Sequence, residues 1–338
     1  MLVLLSTILS IIIMIAIHEF GHFIAGKMLK VPVYEFAIGM GPVIWSRQGK
    51  SETKYSLRAI PIGGFCSFDK GDATGIADME LNKYPAWKRI IIFAAGAALN
   101  ILSAIIVSVC LCTFIGMPLK STEINSIALQ ETDKFFQPND IIIEINGTNV
   151  ENNFDLLIAT IRNDDDGIVS VLVNRGGENV KSDIKLVKNG DNYALGVNVN
   201  VKYVKSKGIN SLIDGTEYAY EAGVSILKSL GNIFTGKVKI SQMSGIIGVV
   251  SVVNDAAKDN ILNILSYFVL LSMNLGVFNL LPIPVLDGSK ILFCIYEMIF
   301  KKRIPEKIEE NLTLVFAILL IGFIILISIG DVFKIFTK

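Results

Sequence analysis

The only two histidines of this 338-residue chain lie four apart, in His18-Glu19-Phe20-Gly21-His22. Residues four apart on an α-helix share a face, so both imidazoles can reach one ion with Glu19 beside them. Two imidazole nitrogens suit Zn2+, and an adjacent carboxylate can take the proton of a water that the ion acidifies. A structural zinc is the competing reading, but such sites use four protein ligands and leave no spare carboxylate alongside. A catalytic zinc takes three protein ligands, and with no histidine left the third must be Asp, Glu or Cys. Asp287 is the strongest candidate, in Asn279-Leu280-Leu281-Pro282-Ile283-Pro284-Val285-Leu286-Asp287-Gly288. Pro282 and Pro284 break an apolar run there, and backbone freed inside a membrane has to line a wet cavity or be buried in protein. The bland alternative makes Asp287 the N-cap of a helix over Ile291–Phe300. The histidine pair tips the balance toward a ligand, with Asp331 and Cys294 as weaker rivals.

The elements that must position these groups are apolar. Hydrophobic residues make up 52% of the chain and mean hydropathy is +0.56, as in multi-span membrane proteins. The 31 basic residues balance 31 acidic ones, which leaves no electrostatic case for nucleic acid as a partner. Met1 to Ile17 carries no charge. It lacks the basic flank and small-residue cleavage site of a signal peptide, so it reads as a retained transmembrane helix. Spans are expected at Leu2–Ala25, Ile90–Phe114, Ile261–Leu281 and Leu312–Ile329, the second entered through the interfacial anchor Trp87-Lys88-Arg89. About ten Lys/Arg lie between the first two spans and Lys301-Lys302-Arg303 between the last two, which makes both connections cytoplasmic by the positive-inside rule. Cys110-x-Cys112 is too tightly spaced for an ordinary zinc pair and reads as buried small hydrophobes.

Between the first two spans, Val33–Trp45 and Thr53–Ile60 are strand-like, and Pro61-Ile62-Gly63-Gly64-Phe65 reads as a turn with close backbone approach. A β-hairpin here can accept an extended peptide as an added strand, or can merely cap the helices. Residues 116–205 form a different, soluble unit. It has a strand and Asn146-Gly147 turn within Asp140–Val150, a helix over Asn153–Arg162, and strands at Ile168–Asn174, Val180–Val187 and Tyr193–Val201. From Ile209 to about Lys239, Leu212, Tyr220, Leu227, Leu230 and Phe234 alternate with charges, as in a helix on the membrane surface or packed on the bundle.

These motifs resemble the site-2 protease family of intramembrane zinc metalloproteases, and within it the bacterial type with one PDZ domain. The likeness rests on His18–His22, Gly39-Met40-Gly41-Pro42, Pro61–Phe65, the Ala95-Gly96 to Asn100 stretch, and Asn279–Gly288. It departs at Gly96-Ala97 and at Ser244-Gly245-Ile246-Ile247-Gly248, each lacking a proline usual in the family. The resemblance implies a multi-span α-helical membrane protein of about four transmembrane helices, with a membrane-associated β-hairpin and an inserted extracytoplasmic PDZ-like domain. Its expected parts are residues 1–115 and 261–338 as membrane core, 116–205 as the PDZ-like domain and 206–260 as an amphipathic connection. It further implies Zn2+ held by His18, His22 and Asp287, with Glu19 moving the proton. Asn279 would bond substrate, and Gly63, Gly64, Pro282 and Pro284 would lie along it. Implied substrates are single-span proteins of a bacterial cytoplasmic membrane, such as anti-sigma factors or remnant signal peptides, cleaved toward the cytoplasmic side. Two rivals remain from other classes: a non-catalytic adaptor with a structural zinc and a peptide-recognition domain, and a metal transporter. Glu19 beside both histidines argues against the first, and polar residues concentrated at one depth argue against the second.

Overall fold

The computed structural model describes residues 2–49, 52–70, 80–127, 135–151, 153–162, 167–189, 192–236 and 263–336. It divides into two compact units, Met1–Leu111 with Gly208–Lys338, and Cys112–Lys207. The Ser244–Gly248 stretch, and the expected 206–260 connection beyond Gly236, lie outside the described residues.

The first unit opens with helix α1 (Leu2–Met28), 27 residues with no acidic residue in its first turn and Lys27 in its last. Strands β1 (Glu35–Gln48) and β2 (Lys54–Ser67) follow. They form more than the expected hairpin. Val43–Gln48 pairs antiparallel with Lys54–Arg58, while Glu35–Ile38 lies parallel to Lys54–Leu57 and antiparallel to Gly64–Ser67. Two strands thus supply four segments of one bent sheet. Pro61–Phe65, expected as a turn, lies within β2. Its bend is local: Gly63 takes φ +90° and Gly39 in β1 takes φ +87°, a region open to glycine without steric cost. Helix α2 (Ala86–Cys110) starts after Pro85 and runs into a π-helical turn at Leu111–Ile115.

The second unit contains β3 (Met117–Ile127), β4 (Ile141–Ile145), β5 (Thr148–Asn149), helix α3 (Phe154–Arg162), β6 (Ile168–Arg175), β7 (Glu178–Lys185), β8 (Val187–Asn189), β9 (Asn192–Ala194) and β10 (Val197–Val204). One sheet runs β10-β3-β4-β6-β7, with β5 hairpinned onto β4. Asn146 and Gly147 both have positive φ, as a two-residue hairpin turn demands. The single strand expected at Tyr193–Val201 is split, because Gly196 turns at φ +71° between β9 and β10. Alternation along β6 buries Val169, Val171 and Val173 against Ile142, Ile145 and Leu157. Asp140, buried under this sheet, accepts paired hydrogen bonds from Arg175 at 2.8 and 2.7 Å.

Helix α4 (Ile209–Phe234) returns to the first unit. Its large apolar residues Leu212, Tyr220 and Leu227 face outward, while Ser211, Ala219 and Ile226 are buried. The reason is close approach. Ser108 of α2 donates to the Gly215 carbonyl at 2.6 Å, and a Cβ on Gly215 would stand 2.6 Å from the Val109 Cα. Helix α5 (Asn263–Asn279) has 17 residues, shorter than the span expected at Ile261–Leu281. Pro282 and Pro284 stop it, and residues 261–262 lie outside the described residues. Helices α6 (Asp287–Phe300) and α7 (Glu306–Phe336) complete the chain. Among the described residues three helices are long and apolar enough to cross a membrane, Ile8–Met28, Ala86–Ile115 and Lys307–Gly330. The protein is a membrane protein built on them.

Candidate metal centre

His18 and His22 are buried on one face of α1, against α2. Glycines on both helices make the contact possible. A Cβ on Gly21 would collide with the Ala95 carbonyl, and one on Gly96 would stand 2.5 Å from His22 Nε2 and 2.8 Å from His18 Cε1. His22 Nδ1 lies 2.7 Å from the Ile92 carbonyl oxygen, to which it donates, so Nε2 is left with its lone pair free.

Asp287 reaches the pair from α6. The cap position of that helix belongs to Leu286, extended at φ −96° and ψ 157°, and Asp287 is the first helical residue. Its Oδ2 lies 3.1 Å from His18 Nε2 and 3.3 Å from His22 Nε2, and the two Nε2 atoms are 3.2 Å apart. Asp287 Oδ2 is buried and accepts no hydrogen bond. Ligands held at 2.0–2.1 Å around a tetrahedral ion stand about 3.3–3.4 Å from one another. The triangle therefore has the edges of a zinc site, and its donor set of two imidazoles and one carboxylate is that of a catalytic site with an open position. Among the described residues these three form the group able to hold a metal. Cys294 is buried elsewhere, in the cluster with Phe93 and Ile92. The Asp331 side chain lies outside what is described.

A cavity of about 370 Å3 surrounds the triangle and is lined by Glu19, Gly63, Gly64 and Asn279 as well as the three ligands. A Cβ on Gly64 would stand 2.9 Å from the Ala37 carbonyl oxygen and 3.3 Å from Glu19 Cγ, so the neighbouring strand, with Glu19 close by, leaves little room for a side chain here. Asn279 Nδ2 stands 3.4 Å from His18 Nε2. Pro282 is exposed and Pro284 half-buried. Neither lines the cavity, whereas their neighbours Val285 and Leu286 do. Val285 adopts φ +96°, rare for a β-branched residue and a local strain two positions before the ligand.

Met40, Phe65 and Phe93 bring three different elements to the cavity; the first two lie within the glycine motifs of β1 and β2, whereas nothing in the sequence singles out Phe93. Lys290, whose Nζ sits 5.2 Å from the Phe93 ring centroid, was within reach of a periodicity argument, since it follows Asp287 by three residues on one helix. Cys66 lines the cavity as a neutral thiol: burial pushes its pKa well up, and the negative Glu19 adds to the effect against a weaker pull from Lys27.

The sheet that carries Gly63 and Gly64 is braced by a buried ion pair. Arg58 donates to Glu35 Oε1 at 2.8 Å and to the Gly41 carbonyl at 3.0 Å, and its guanidinium lies 4.6 Å from the Phe65 ring centroid. Ser56 donates to the same Glu35 oxygen at 2.6 Å. Burial pushes the Glu35 carboxyl up, but these hydrogen bonds and the charges of Arg58 and Lys54 more than reverse it and hold the group below its ordinary value.

Comparison with known proteins agrees with the geometry. The profile of peptidase family M50 matches residues 6–323. A Fusobacterium nucleatum protein provisionally named a zinc metalloprotease is 34% identical, over 96% of this chain and 96% of its own length. A Campylobacter jejuni protein with the same provisional naming is 31% identical, over 98% of this chain and 93% of its own. Among solved structures, the PDZ domain of an SdrC-like protein from Listeria monocytogenes matches 25% of this chain and 93% of that one, at 19% identity and a TM-score of 0.22. With its HExxH helix and distant Asp287 converging on one zinc site, the chain belongs to peptidase family M50, the site-2 protease family of zinc metalloproteases.

Proposed function

We propose that this protease hydrolyses peptide bonds inside the transmembrane segments of single-span membrane proteins, with anti-sigma factors and remnant signal peptides as the substrate classes. The observation that carries the reading is where the centre lies. Two ligands and Glu19 project from an apolar helix of membrane-spanning length, into a cavity shared with a sheet segment and a proline-broken loop. A transmembrane helix hides its amides in internal hydrogen bonds and must unwind locally to be cut. The Gly64–Ser67 segment offers the unwound strand a backbone partner beside Glu19.

His18, His22 and Asp287 hold the ion, which when bound supplies Lewis acidity toward water and toward a peptide carbonyl. Glu19 takes a proton from the attacking water onto its carboxylate as the new C–O bond forms. It returns that proton to the leaving nitrogen as the C–N bond breaks. Asn279 donates through Nδ2 to the carbonyl oxygen as charge develops there. Gly63 and Gly64 let a substrate backbone approach closely. Pro282 and Pro284 keep the loop before Asp287 from winding into helix, so that substrate can pass it.

In this reading the protein sits in a bacterial cytoplasmic membrane with the centre toward the cytoplasmic side. The Cys112–Lys207 unit is a PDZ domain on the outer side, acting as a size filter that favours substrates already trimmed by another protease. Glu19→Gln tests the chemistry in vesicles holding a single-span substrate. Zinc content should be unchanged and cleavage should fall roughly 100-fold or more. Cleavage at the wild-type rate would remove Glu19 from the reaction.

A further inference from the structure

The metal-binding nitrogen of an imidazole is set by what its other nitrogen donates to. For His22 that partner is the Ile92 carbonyl of α2. For His18 the coordinating nitrogen is Nε2, the one within 3.1 Å of Asp287, so Nδ1 carries the proton and needs an acceptor. Two amides are near. Asn279 Nδ2 is 3.5 Å from Nδ1 and 3.4 Å from Nε2. A group nearly equidistant from both ring nitrogens is not on the N–H axis of either, so Asn279 cannot be that acceptor.

Asn100 meets the requirement. It is fully buried on α2, its Nδ2 lies 3.5 Å from His18 Nδ1, and its Oδ1 is buried with no hydrogen-bond partner. In this orientation an amide N–H faces a ring N–H while a buried acceptor is left empty. The two ends of a carboxamide differ by one proton-bearing atom, and a half-turn about the last torsion exchanges them. That half-turn brings the orphan oxygen against the His18 Nδ1 proton and moves the amide N–H groups away from the ring. The Asn100 backbone is held for the task, its carbonyl accepting from Ser103 Oγ at 2.8 Å and from Ser272 Oγ at 3.0 Å.

We infer that Asn100 is the positioning residue of His18, accepting its Nδ1 proton through Oδ1 and presenting Nε2 to the zinc ion. Ile92, Gly96 and Asn100 then form one working face of α2 at four-residue intervals. The first supplies an acceptor for one imidazole, the second a gap for both rings, and the third an acceptor for the other imidazole. The inference rests on the metal reading given above.

The test is zinc affinity, measured on the purified full chain in detergent by competition with a chromophoric chelator. Asn100→Leu, similar in size but without an acceptor, should lose roughly 10- to 100-fold in affinity. Asn100→Asp, which keeps an acceptor oxygen, should bind zinc within a few-fold of wild type. Equal losses in both variants, or wild-type affinity in Asn100→Leu, would overturn the assignment. A second measurement needs no variant. With only two histidines in the chain, 15N labelling of histidine gives four ring signals. Both Nδ1 should be protonated in the zinc form, and an unprotonated His18 Nδ1 would overturn it. Wild-type protein that takes up no zinc at all would sink the metal centre itself, a result separable from either of these.

Discussion

Replacing Gly96 by alanine adds a single methyl group at the place where α1 and α2 come closest to the ligands. That carbon would stand 2.5 Å from His22 Nε2, 2.7 Å from His22 Cε1 and 2.8 Å from His18 Cε1. Ordinary contacts are about 3.5–4.0 Å, so the two rings must retreat by about 0.7–1 Å. Zinc sites tolerate displacements of about 0.2 Å in ligand distance. Overpacking of this kind costs about 1–3 kcal/mol. Spent on the bound form, it weakens zinc binding roughly 5- to 150-fold. Helix propensity works the other way, since alanine is favoured over glycine by about 0.8–1.0 kcal/mol in a helix interior. The variant should therefore be as helical as wild type by circular dichroism while losing zinc to a competing chelator. Gly322→Ala is the control, because a Cβ there meets nothing within 4 Å, and its zinc affinity should not change. Wild-type affinity in Gly96→Ala would refute the view that a missing side chain sets the ligand geometry.

Three further outcomes are expected. The Glu35 carboxyl is held below its ordinary value of about 4.3, so its contribution to stability is complete above that pH and lost as pH falls through the lower folded-state value. Glu35→Gln should flatten the acid limb of the unfolding profile, and superimposable limbs would dismiss this ion pair as a pH-dependent brace. Asp140→Ala takes a buried acceptor from Arg175 and from the Gln137 N–H and should destabilise the Cys112–Lys207 unit by about 1–3 kcal/mol. Hydrogen exchange of β4 and β6 in the intact chain reads this directly, and a change under about 1 kcal/mol would contradict it. Val285→Gly releases backbone strain of about 1–3 kcal/mol at the cost of an exposed side chain. Thermal unfolding should show it neutral or stabilising, and a clear drop in Tm would mean that Val285 is not strained.

What was legible in the chain was what is local or forced by scarcity. The HExxH spacing is a property of one helix, and long uncharged runs announce spans through length alone. Asp287 emerged because no third histidine exists and two prolines mark a break. The Asn146-Gly147 turn was visible because two consecutive positive φ values admit few residue pairs. What stayed hidden was set by pairing at a distance. Glu35–Ile38 lies between Lys54–Leu57 and Gly64–Ser67, and nothing in any of these segments announces two partners. The strand nature of Pro61–Phe65 was masked for the same reason, as its glycines and proline read as a turn until a neighbouring strand is supplied. The inward face of α4 was misleading, because Leu212, Tyr220 and Leu227 point outward while Ser211, Ala219 and Ile226 pack. The part of α2 in the metal centre is a carbonyl, a gap and an amide, and the first two have no side chain to notice.

The Gly64–Ser67 edge bears on how long anything bound there can stay. Among the described residues no strand pairs with its outer side. Phe65, Cys66 and Ser67 are buried and Gly64 is half-buried beside the cavity, so an extended chain, a cleaved product included, meets this edge only from within the cavity. Four residues present about four outward backbone groups, worth about 2–6 kcal/mol in net hydrogen bonding. Micromolar affinity requires about 8 kcal/mol. Backbone docking alone is therefore brief, and a chain that is no longer held by the reacting centre dissociates. A longer edge would have bound its own products; this one is short enough to let them go.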